Sequence, residues 1–437
     1  MKKWTVVGIL GISLFAICLG SLVALIPVLG RFVSGGMQWN VFSIHSINAE
    51  AVEEQRAAVD GPADLTVDTP FGNVEVTAQE SSTEIVISAH KNAWGASQKA
   101  AEELLEKTNV VVEQTGNAVT VYVDQPVELS IFRIGPMGIS VDFTITVPPD
   151  CSVDASSSSG EVYLEGIQGD AVLFSSFGEV TAENITGGLR AGTSSGDVVV
   201  KNIQAPGHSV EASTSFGEVL VQHAQGDDLT AKSSSGNVTV EESAFTWNAD
   251  MSSSFGDIKV IAVTARSINA QTSSGEVRLQ GLTVENDLTA RSDFGDVDVA
   301  DTVAGSFALN TNSGEVTAIG VQGKVKAHSG FGDITVSGTD AVLDLSTNSG
   351  SIEFTGTLGE GTSVLDTNFG DIRIELPADA EFTADLSTDF GDIRCGFPIT
   401  SERSSSSHLV GTVGAGGPTL KASTNSGNIE LYPQEAG

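Results

Sequence analysis

Two related stretches decide the fold of this chain: TSSGDVVV at Thr193–Val200 and TSFGEVLV at Thr214–Val221. Each places a Ser or Phe before a Gly, then an acidic residue, then Val. The same phrase occurs fourteen times after residue 150, and its glycines are mostly 18 to 21 residues apart. A repeat of this length without a helical pattern predicts a β-solenoid, in which each repeat forms one coil. The repeat glycines are Gly160, Gly178, Gly196, Gly217, Gly236, Gly256, Gly275, Gly295, Gly314, Gly332, Gly350, Gly370, Gly391 and Gly427.

Counting each repeat from its glycine, as position 0, separates inward from outward positions. Position +2 is always Val or Ile and position +4 is mostly apolar, whereas position +3 varies and often carries a charge. This alternation predicts a strand after the glycine. Ala, Leu or Met at position −5 and Ser or Thr at position −3 predict a second strand before the glycine. The corners of the coil are expected at the glycine and near position +9. We therefore expect an all-β protein, a single-stranded parallel β-helix of about fourteen coils of 18–21 residues.

Position −1 alternates between Ser and Phe from Ser159 to Phe369, and Phe390 then follows without an intervening Ser. Because position −1 shares the parity of positions −3 and −5, its side chains are expected inside, where large and small groups would interdigitate. On this interpretation, Phe255→Ala would leave a cavity that costs about 3–5 kcal/mol. The phenylalanines given this structural role are Phe177, Phe216, Phe255, Phe294, Phe331, Phe369 and Phe390.

The first 33 residues predict a transmembrane signal anchor. Lys2 and Lys3 precede an apolar run that contains no charged residue between Trp4 and Gly30, which is long enough to cross a bilayer. An uncleaved anchor is favoured over a cleaved signal peptide, whose best cleavage site, near Ala49, comes late. The two lysines outweigh Arg31, so we expect a single-pass cell-membrane protein with its N-terminus inside and the bulk of the chain extracytoplasmic.

The remaining chain divides by composition and periodicity. Residues 34–62 are small, polar and acidic and predict a stalk or linker. Residues 63–150 predict an N-terminal cap and lead-in of strands with one helix, Gly95–Lys107, whose apolar face is Ala101, Leu104 and Leu105. Such a cap protects the solenoid end from edge pairing. Residues 151–396 hold the repeats, and residues 397–437 are expected to form a C-terminal loop, the last coil and a cap.

The charge balance limits the partners. A formal net charge of −35 argues against nucleic acid and against an anionic membrane surface, since both would repel the chain. Three cysteines, Cys18, Cys151 and Cys395, lie too far apart in the predicted architecture to suggest a disulfide framework. Cys395 occupies position +4, so a structural thiol in the core is expected there.

One column of side chains suggests chemistry. Position +1 stacks carboxylates about 5 Å apart, an arrangement that invites calcium between them. The alternative is that each side chain accepts backbone N–H bonds in its own turn, which the mixture of Glu, Asp, Asn and Ser favours. The carboxylates of this column are Glu161, Glu179, Asp197, Glu218, Asp257, Glu276, Asp296, Glu315, Asp333, Asp371 and Asp392.

No catalytic constellation and no cofactor site is predicted. The six histidines share no column and show no metal-ligand spacing, and no glycine-rich phosphate loop precedes a helix. A regular stack supplies columns of like residues rather than one cluster of unlike ones, so we do not expect an enzyme.

The strings TSSGDVVV, TSFGEVLV and TSSGEVRL (Thr272–Leu279) carry a family resemblance, together with a strand-and-helix lead-in that ends on FTITVPPD (Phe143–Asp150). In these features, residues 63 to 433 resemble a bacterial family of proposed adhesins, β-helical surface proteins that share a domain of unknown function. The resemblance implies a β-helical fold and brings no catalytic residues with it.

The sequence therefore predicts a non-catalytic cell-surface solenoid, an adhesin or envelope scaffold that binds a protein or glycan at the envelope. Two alternatives stay open. One is an accessory or sensor protein of an envelope-stress system that binds a membrane partner, and the other is a self-assembling solenoid.

Overall fold

The computed structural model describes residues 47–125 and 137–434. Within these ranges, no helix is long and apolar enough to cross a membrane. The predicted anchor, residues 1–33, lies outside the described residues.

Among the described residues, the lead-in to the solenoid is a mixed arrangement of seven strands and one helix. Strand β1 pairs antiparallel with β4, β4 with β7 and β5 with β6. β2 and β3 run parallel to the first coil's strands β8 (Cys151–Ser157) and β9 (Val162–Glu165). The elements are β1 Ile47–Ala58, β2 Ala63–Thr69, β3 Val74–Ala78, β4 Glu84–Gly95, α1 Gln98–Lys107, β5 Asn109–Thr115, β6 Ala118–Asp124 and β7 Gly138–Val147.

The prediction of a stalk over residues 34–62 is wrong for the segment Ile47–Ala58, which forms β1. This strand pairs with β4 along its whole length. Its acidic composition concealed it, because most of its side chains are exposed and make cross-strand ion pairs instead of core contacts. Glu53 lies 2.8 Å from Lys91, and Arg56 lies 2.6 Å from Glu84.

The predicted helix is confirmed as α1, which begins at Gln98, three residues after the predicted start at Gly95. Ser97 caps it by accepting a hydrogen bond from Ala100 N, as N-cap serines do. Ala101 and Leu104 are buried, so the predicted apolar face holds for these two residues, and Leu104 packs in a small cluster with Ala93 and Ile139.

The repeats form an all-β parallel solenoid in which each coil contributes strands before and after its glycine. The coil strands are β8 Cys151–Ser157, β9 Val162–Glu165, β10 Ala171–Phe177, β11 Val180–Thr186, β12 Leu189–Ser195, β13 Val198–Ala205, β14 Val210–Phe216, β15 Val219–Gly226, β16 Leu229–Ser233, β17 Val238–Glu241, β18 Ala244–Phe245, β19 Asn248–Ser253, β20 Ile258–Ile261, β21 Thr264–Ala265, β22 Ser267–Thr272, β23 Val277–Gln280, β24 Thr283–Ser292, β25 Val297–Ala300, β26 Val303–Thr311, β27 Val316–Ser329, β28 Ile334–Ser349, β29 Ile352–Leu358, β30 Thr362–Phe369, β31 Ile372–Leu376, β32 Phe382–Phe390 and β33 Ile393–Cys395.

Equivalent positions lie beside one another in neighbouring coils, so inward columns merge into one continuous core. Val238 at position +2 pairs with Ile258, and Val240 at +4 pairs with Val260. All four are at most 1% exposed, which confirms the predicted inward parity after the glycine.

The corner predicted near position +9 is confirmed, since β11 ends at Thr186 and β12 begins at Leu189, and a further corner that was not predicted lies at position +6. Six non-glycine residues there adopt the left-handed conformation, with φ between 50° and 57°: Asn184, Asn202, His223, Glu242, Ala262 and Asp301. Only a single left-handed residue is needed to turn the strand, and the residue at +7 is buried again after it. The sequence concealed this corner because glycine marks it in only some coils, such as Gly281 with φ 67°.

The C-terminal coil is stacked out of chain order. Strand β36 (Thr419–Ser426) pairs parallel with both β30 and β32, so it lies between them. The remaining C-terminal strands are β34 Ile399–Ser404, β35 His408–Val413 and β37 Ile429–Pro433. β35 pairs antiparallel with β32 and with β34.

This insertion changes the predicted coil count. The glycines from Gly160 to Gly370 stack in chain order, which makes about 11 regular turns, and Gly427 then stacks on Gly370 and Gly391 on Gly427. The prediction of about fourteen coils therefore exceeds the number of regular turns, because the coils of Gly391 and Gly427 stack out of chain order. The long connection after Gly391 lets the chain return between the coils of Gly370 and Gly391.

The inward assignment of the phenylalanines at position −1 is wrong. Phe177, Phe216, Phe255, Phe294, Phe331, Phe369 and Phe390 are all exposed, with 63% to 77% of each residue accessible to solvent. Alternation with a period of two holds along a strand, but each of these residues stands at the strand's end, where the backbone bends into the glycine corner. The bend turns position −1 outward although position −3 points inward.

The expected effect of Phe255→Ala is revised accordingly. Because the ring is 70% exposed, its removal leaves no core cavity, and we expect a change of less than about 1 kcal/mol in the free energy of unfolding. Urea denaturation of the two proteins, at concentrations where the chain is monomeric, measures this. A loss of about 3 kcal/mol or more would instead mean that the ring lies in the core of its coil.

Candidate interaction surface

The glycine corner is the most constrained part of each coil. A Cβ built on a repeat glycine would overlap the carbonyl group of the repeat glycine in the neighbouring coil, as Gly256 would overlap that of Gly236. Backbones therefore approach one another here more closely than any side chain permits. This close approach explains why glycine recurs at Gly256 and at its equivalents, among which only Gly196 also has a positive φ, of 153°.

A ladder of buried hydroxyls lies immediately inside the corner. Every Ser or Thr at position −3 donates a hydrogen bond of 2.8 to 3.0 Å to the carbonyl of the repeat glycine in the adjacent coil. Thr272, for example, donates to Gly256 O and also accepts from Gly275 N at 3.2 Å. The predicted inward direction of position −3 is confirmed, and the hydroxyls satisfy carbonyls that the bend removes from the strand ladder.

The carboxylate column at position +1 lies on the outer surface beside the corner. Its Asp and Asn members other than Asp392 accept a hydrogen bond from the backbone N–H of position +1 in the next coil. Asp257 accepts from Glu276 N at 2.8 Å, and Asp333 accepts from Ser351 N at 2.7 Å. The prediction that these side chains accept backbone N–H bonds is confirmed for the Asp and Asn members, but the prediction that the bonds lie within one turn is wrong, because they join neighbouring coils. Within residues 47–125 and 137–434, no three metal-ligating side chains come together as a metal site.

The inter-coil hydrogen bond that Asp257 accepts predicts that two substitutions of this residue affect stability differently. Asp257→Asn keeps the accepting oxygen and should leave the free energy of unfolding unchanged within about 0.5 kcal/mol, whereas Asp257→Glu moves the carboxylate outward by one methylene and should cost about 1 kcal/mol. Urea midpoints of both variants measure the difference. Equal stability of the Glu variant would show that the inter-coil bond contributes nothing.

Burial raises the pKa of the Glu276 carboxyl, and a hydrogen bond with Asp298 raises it further, against the opposing effect of Arg278. Two carboxyls this close share a proton more readily than isolated ones.

The two cysteines in the described residues behave as core residues. Burial raises the pKa of the Cys151 thiol to about 12, and it also raises that of Cys395, which is half-buried and packs against the core.

The outward phenylalanines form a continuous row, which we call the Phe row: Phe71, Phe177, Phe216, Phe255, Phe294, Phe331, Phe369 and Phe390. Each is separated from the next by a coil with Ser at position −1. Phe177 pairs with Ser195, which pairs in turn with Phe216. Rings in alternate coils lie about 10 Å apart, since adjacent strands are about 4.8 Å apart.

Phe369 and Phe390 show that Phe and Ser alternate along the stack of coils and not along the chain. Phe390 follows Phe369 in chain order, but Ser426 of the inserted coil lies between them and pairs with both. The sequence therefore breaks the alternation at the place where the topology restores it.

Phe71 belongs to a repeat that the sequence interpretation missed. Gly72 N donates to Ser159 O at 3.0 Å, and the strands on either side pair with those of the Gly160 coil. The signal was present in Phe71–Val74, which reads FGNV. It was hidden because about eighty residues of the lead-in separate it from the next repeat and interrupt the period.

Comparison with known protein families identifies the family of this chain. The family model described as Toastrack DUF4097 matches residues 63–300 and 263–432. This chain belongs to the Toastrack family. The predicted resemblance to β-helical proposed adhesins is confirmed at the level of the family. No curated protein matches the chain.

The solved structures that match the chain include three from bacteria. A proposed cell adhesion protein from Clostridium sporogenes is 9% identical, with a TM-score of 0.14, over 88% of this chain and 100% of that one. A proposed adhesin from Bacteroides fragilis is 13% identical, with a TM-score of 0.16, over 87% and 97%. A proposed lipid-binding protein from Parabacteroides distasonis is 11% identical, with a TM-score of 0.24, over 88% and 97%. Likenesses at this level do not bear on function.

The Toastrack solenoid of this chain thus presents two neighbouring outer columns. The carboxylate column lies on one side of the glycine corner, and the Phe row lies on the other. Sequence periodicity found both columns but assigned the Phe row to the interior.

Proposed function

We propose that this Toastrack chain is a non-catalytic protein of the cell surface, an adhesin or envelope scaffold that binds a protein or glycan through the outer face of its solenoid. The observation that carries the proposal is the order of that face. The same kind of side chain recurs about every 5 Å along the stack, so an extended or repetitive partner would meet the same contact many times. Many weak contacts of this kind add up to strong attachment.

The carboxylate column supplies the chemistry of this contact. Most Asp members accept inter-coil hydrogen bonds, as Asp197 and Asp296 do. Beside them lie four exposed glutamates, Glu161, Glu179, Glu218 and Glu315. Glu179 and Glu218 each accept one side-chain hydrogen bond, from Thr181 and from Asn237. Such groups suit amines and guanidinium groups of a protein and the hydroxyls of a glycan. The net charge of −35 opposes nucleic acid as the partner.

The location is part of the proposal. The apolar run from Trp4 to Val33 would hold the protein in the membrane, with the solenoid outside the cell. Protease treatment of intact cells tests this arrangement, since the solenoid should be digested while cytoplasmic proteins stay protected. Full protection of the solenoid would contradict it.

Binding of the purified full chain in nanodiscs to intact cells, envelope extracts and polysaccharides tests the function. Replacing the four exposed glutamates, Glu161, Glu179, Glu218 and Glu315, by Gln should weaken binding several-fold without changing the urea midpoint. The matched control replaces Glu80, Glu102, Glu103 and Glu106 of the lead-in by Gln and should bind normally. Equal binding by both variants would exclude the carboxylate column as the contact. Capture of one endogenous membrane protein, without surface binding, would favour the sensor alternative.

A further inference from the structure

The Phe row is too large an apolar surface to be left in water. The eight residues are 50% to 77% exposed. A fully buried Phe removes about 150–250 Å² from solvent, so the row exposes on the order of 1,000 Å². The largest apolar patch of an ordinary monomer is about 300–600 Å², whereas a stable interface needs about 800 Å² from each partner. The area of the row therefore matches one side of a dimer interface.

We propose that the Phe row is the interface of a parallel homodimer, in which the occupant is a second copy of this chain. The first argument is period. A partner that covers the whole row must present apolar groups about every 10 Å over some 65 Å. A second copy meets this requirement along its entire length, and the serines between the rings leave room for offset or edge-to-face ring pairs.

The second argument is charge, and it selects the relative direction of the two rods. Along each coil, the Phe row is flanked by the acidic position +1 and, on the opposite side, by position −2. Position −2 is Ser from Ser158 to Ser273, and in the later coils it is Asn four times, Asp twice (Asp293 and Asp389) and Gly once. Beyond it, position −4 carries the exposed cations Lys232 and Arg291 and the exposed Asp366, and Arg291 pairs with Asp293 at 3.0 Å.

A two-fold axis parallel to the rods places the carboxylate column of each copy opposite position −2 of the other copy. A two-fold axis perpendicular to the rods, which makes them antiparallel, places the two carboxylate columns against each other. Eleven carboxylates on each side would then repel along the whole interface. The parallel dimer avoids most of this repulsion, because only Asp293 and Asp389 are acidic at position −2. Its isologous interface also closes without leaving a second row exposed.

Replacement of the rings tests the interface. Ser already occupies position −1 in alternate coils, so the triple variant Phe216→Ser, Phe255→Ser and Phe294→Ser should fold with an unchanged circular dichroism spectrum. Sedimentation equilibrium of the full chain in detergent should show a dimer for the parent, and the triple variant should dissociate at least about tenfold more readily. The control changes three exposed apolar residues outside the row, Val52, Val303 and Ile319, to Ser and should remain dimeric. A monomeric parent, or a triple variant that dimerises as the parent does, would overturn the proposal.

Cysteine cross-linking tests the direction. Ser195 and Ser349 lie at position −1 at equal distances from the middle of the row. In a Cys18→Ser background of the full chain in lipid vesicles, Ser195→Cys alone should form a disulfide-linked dimer on oxidation, because each residue meets its own counterpart. The control Ser209→Cys, which is exposed outside the row, should not. If a disulfide forms only when Ser195→Cys and Ser349→Cys chains are mixed, the rods are antiparallel and the proposal is wrong.

Discussion

Gly256→Ala is expected to cost at least about 3 kcal/mol of the free energy of unfolding. The added methyl group would overlap the carbonyl of Gly236 and lie 2.8 Å from Asn237 N. Both atoms belong to the backbone of a neighbouring coil, so relief requires the two coils to separate. Separation would in turn break the parallel ladder between β17 and β20, which joins these coils.

Urea denaturation followed by circular dichroism measures the effect, and the chain offers a matched control. Gly192 lies within strand β12, and a Cβ there would meet its nearest neighbour, Ser213 Oγ, at 3.4 Å, an ordinary contact. Gly192→Ala should therefore be neutral or slightly stabilising, because Ala loses less conformational entropy than Gly on folding. If the two variants had equal midpoints, the close approach of the corners would not be the reason for glycine.

Thr272→Val is expected to cost about 2–4 kcal/mol, the second largest effect. Val has nearly the shape of Thr, so packing is preserved while the hydroxyl is lost. Gly256 O and Gly275 N then lose the hydrogen bonds that Thr272 makes with them, and both lie in the dry interior of the corner. Unsatisfied buried backbone groups carry most of this cost.

The control for this variant is Thr289→Val on β24, in the coil that follows Thr272. Thr289 is half-buried at an outward position of that strand, where Val is favoured by its strand propensity. We expect its midpoint to be unchanged or higher than that of the parent. A similar loss in both variants would attribute the effect to the loss of Thr in general and not to the hydroxyl ladder.

Local periodicity correctly predicted several features that depend on one coil or one helix alone. The inward direction of positions +2, +4 and −3, the glycine corner and α1 all follow from the side-chain pattern of a strand or a helix, and the structure confirms them. β1 escaped prediction because only two of its twelve residues, Ile47 and Val52, are apolar and larger than alanine, and it is held by pairing with β4 and by ion pairs such as Glu53–Lys91.

The outward turn of Phe255 escaped for a different reason. Parity counts residues along a straight strand, and the bend that reverses the direction at position −1 is imposed by the stacking of glycine backbones between coils. The side-chain pattern of one chain segment carries no information about that contact between coils. Phe71 escaped because its partner coil begins some eighty residues later.

The amino-acid sequence by itself determined that this protein is a parallel β-solenoid with a glycine at one corner of every coil, because each coil repeats the same local pattern. Only the tertiary structure decided which residues share a surface. It placed Ser426 between Phe369 and Phe390, joined Phe71 to the same row and turned the whole row towards solvent. Position along the stack depends on which strands pair, and strand pairing is a long-range choice that local periodicity does not specify.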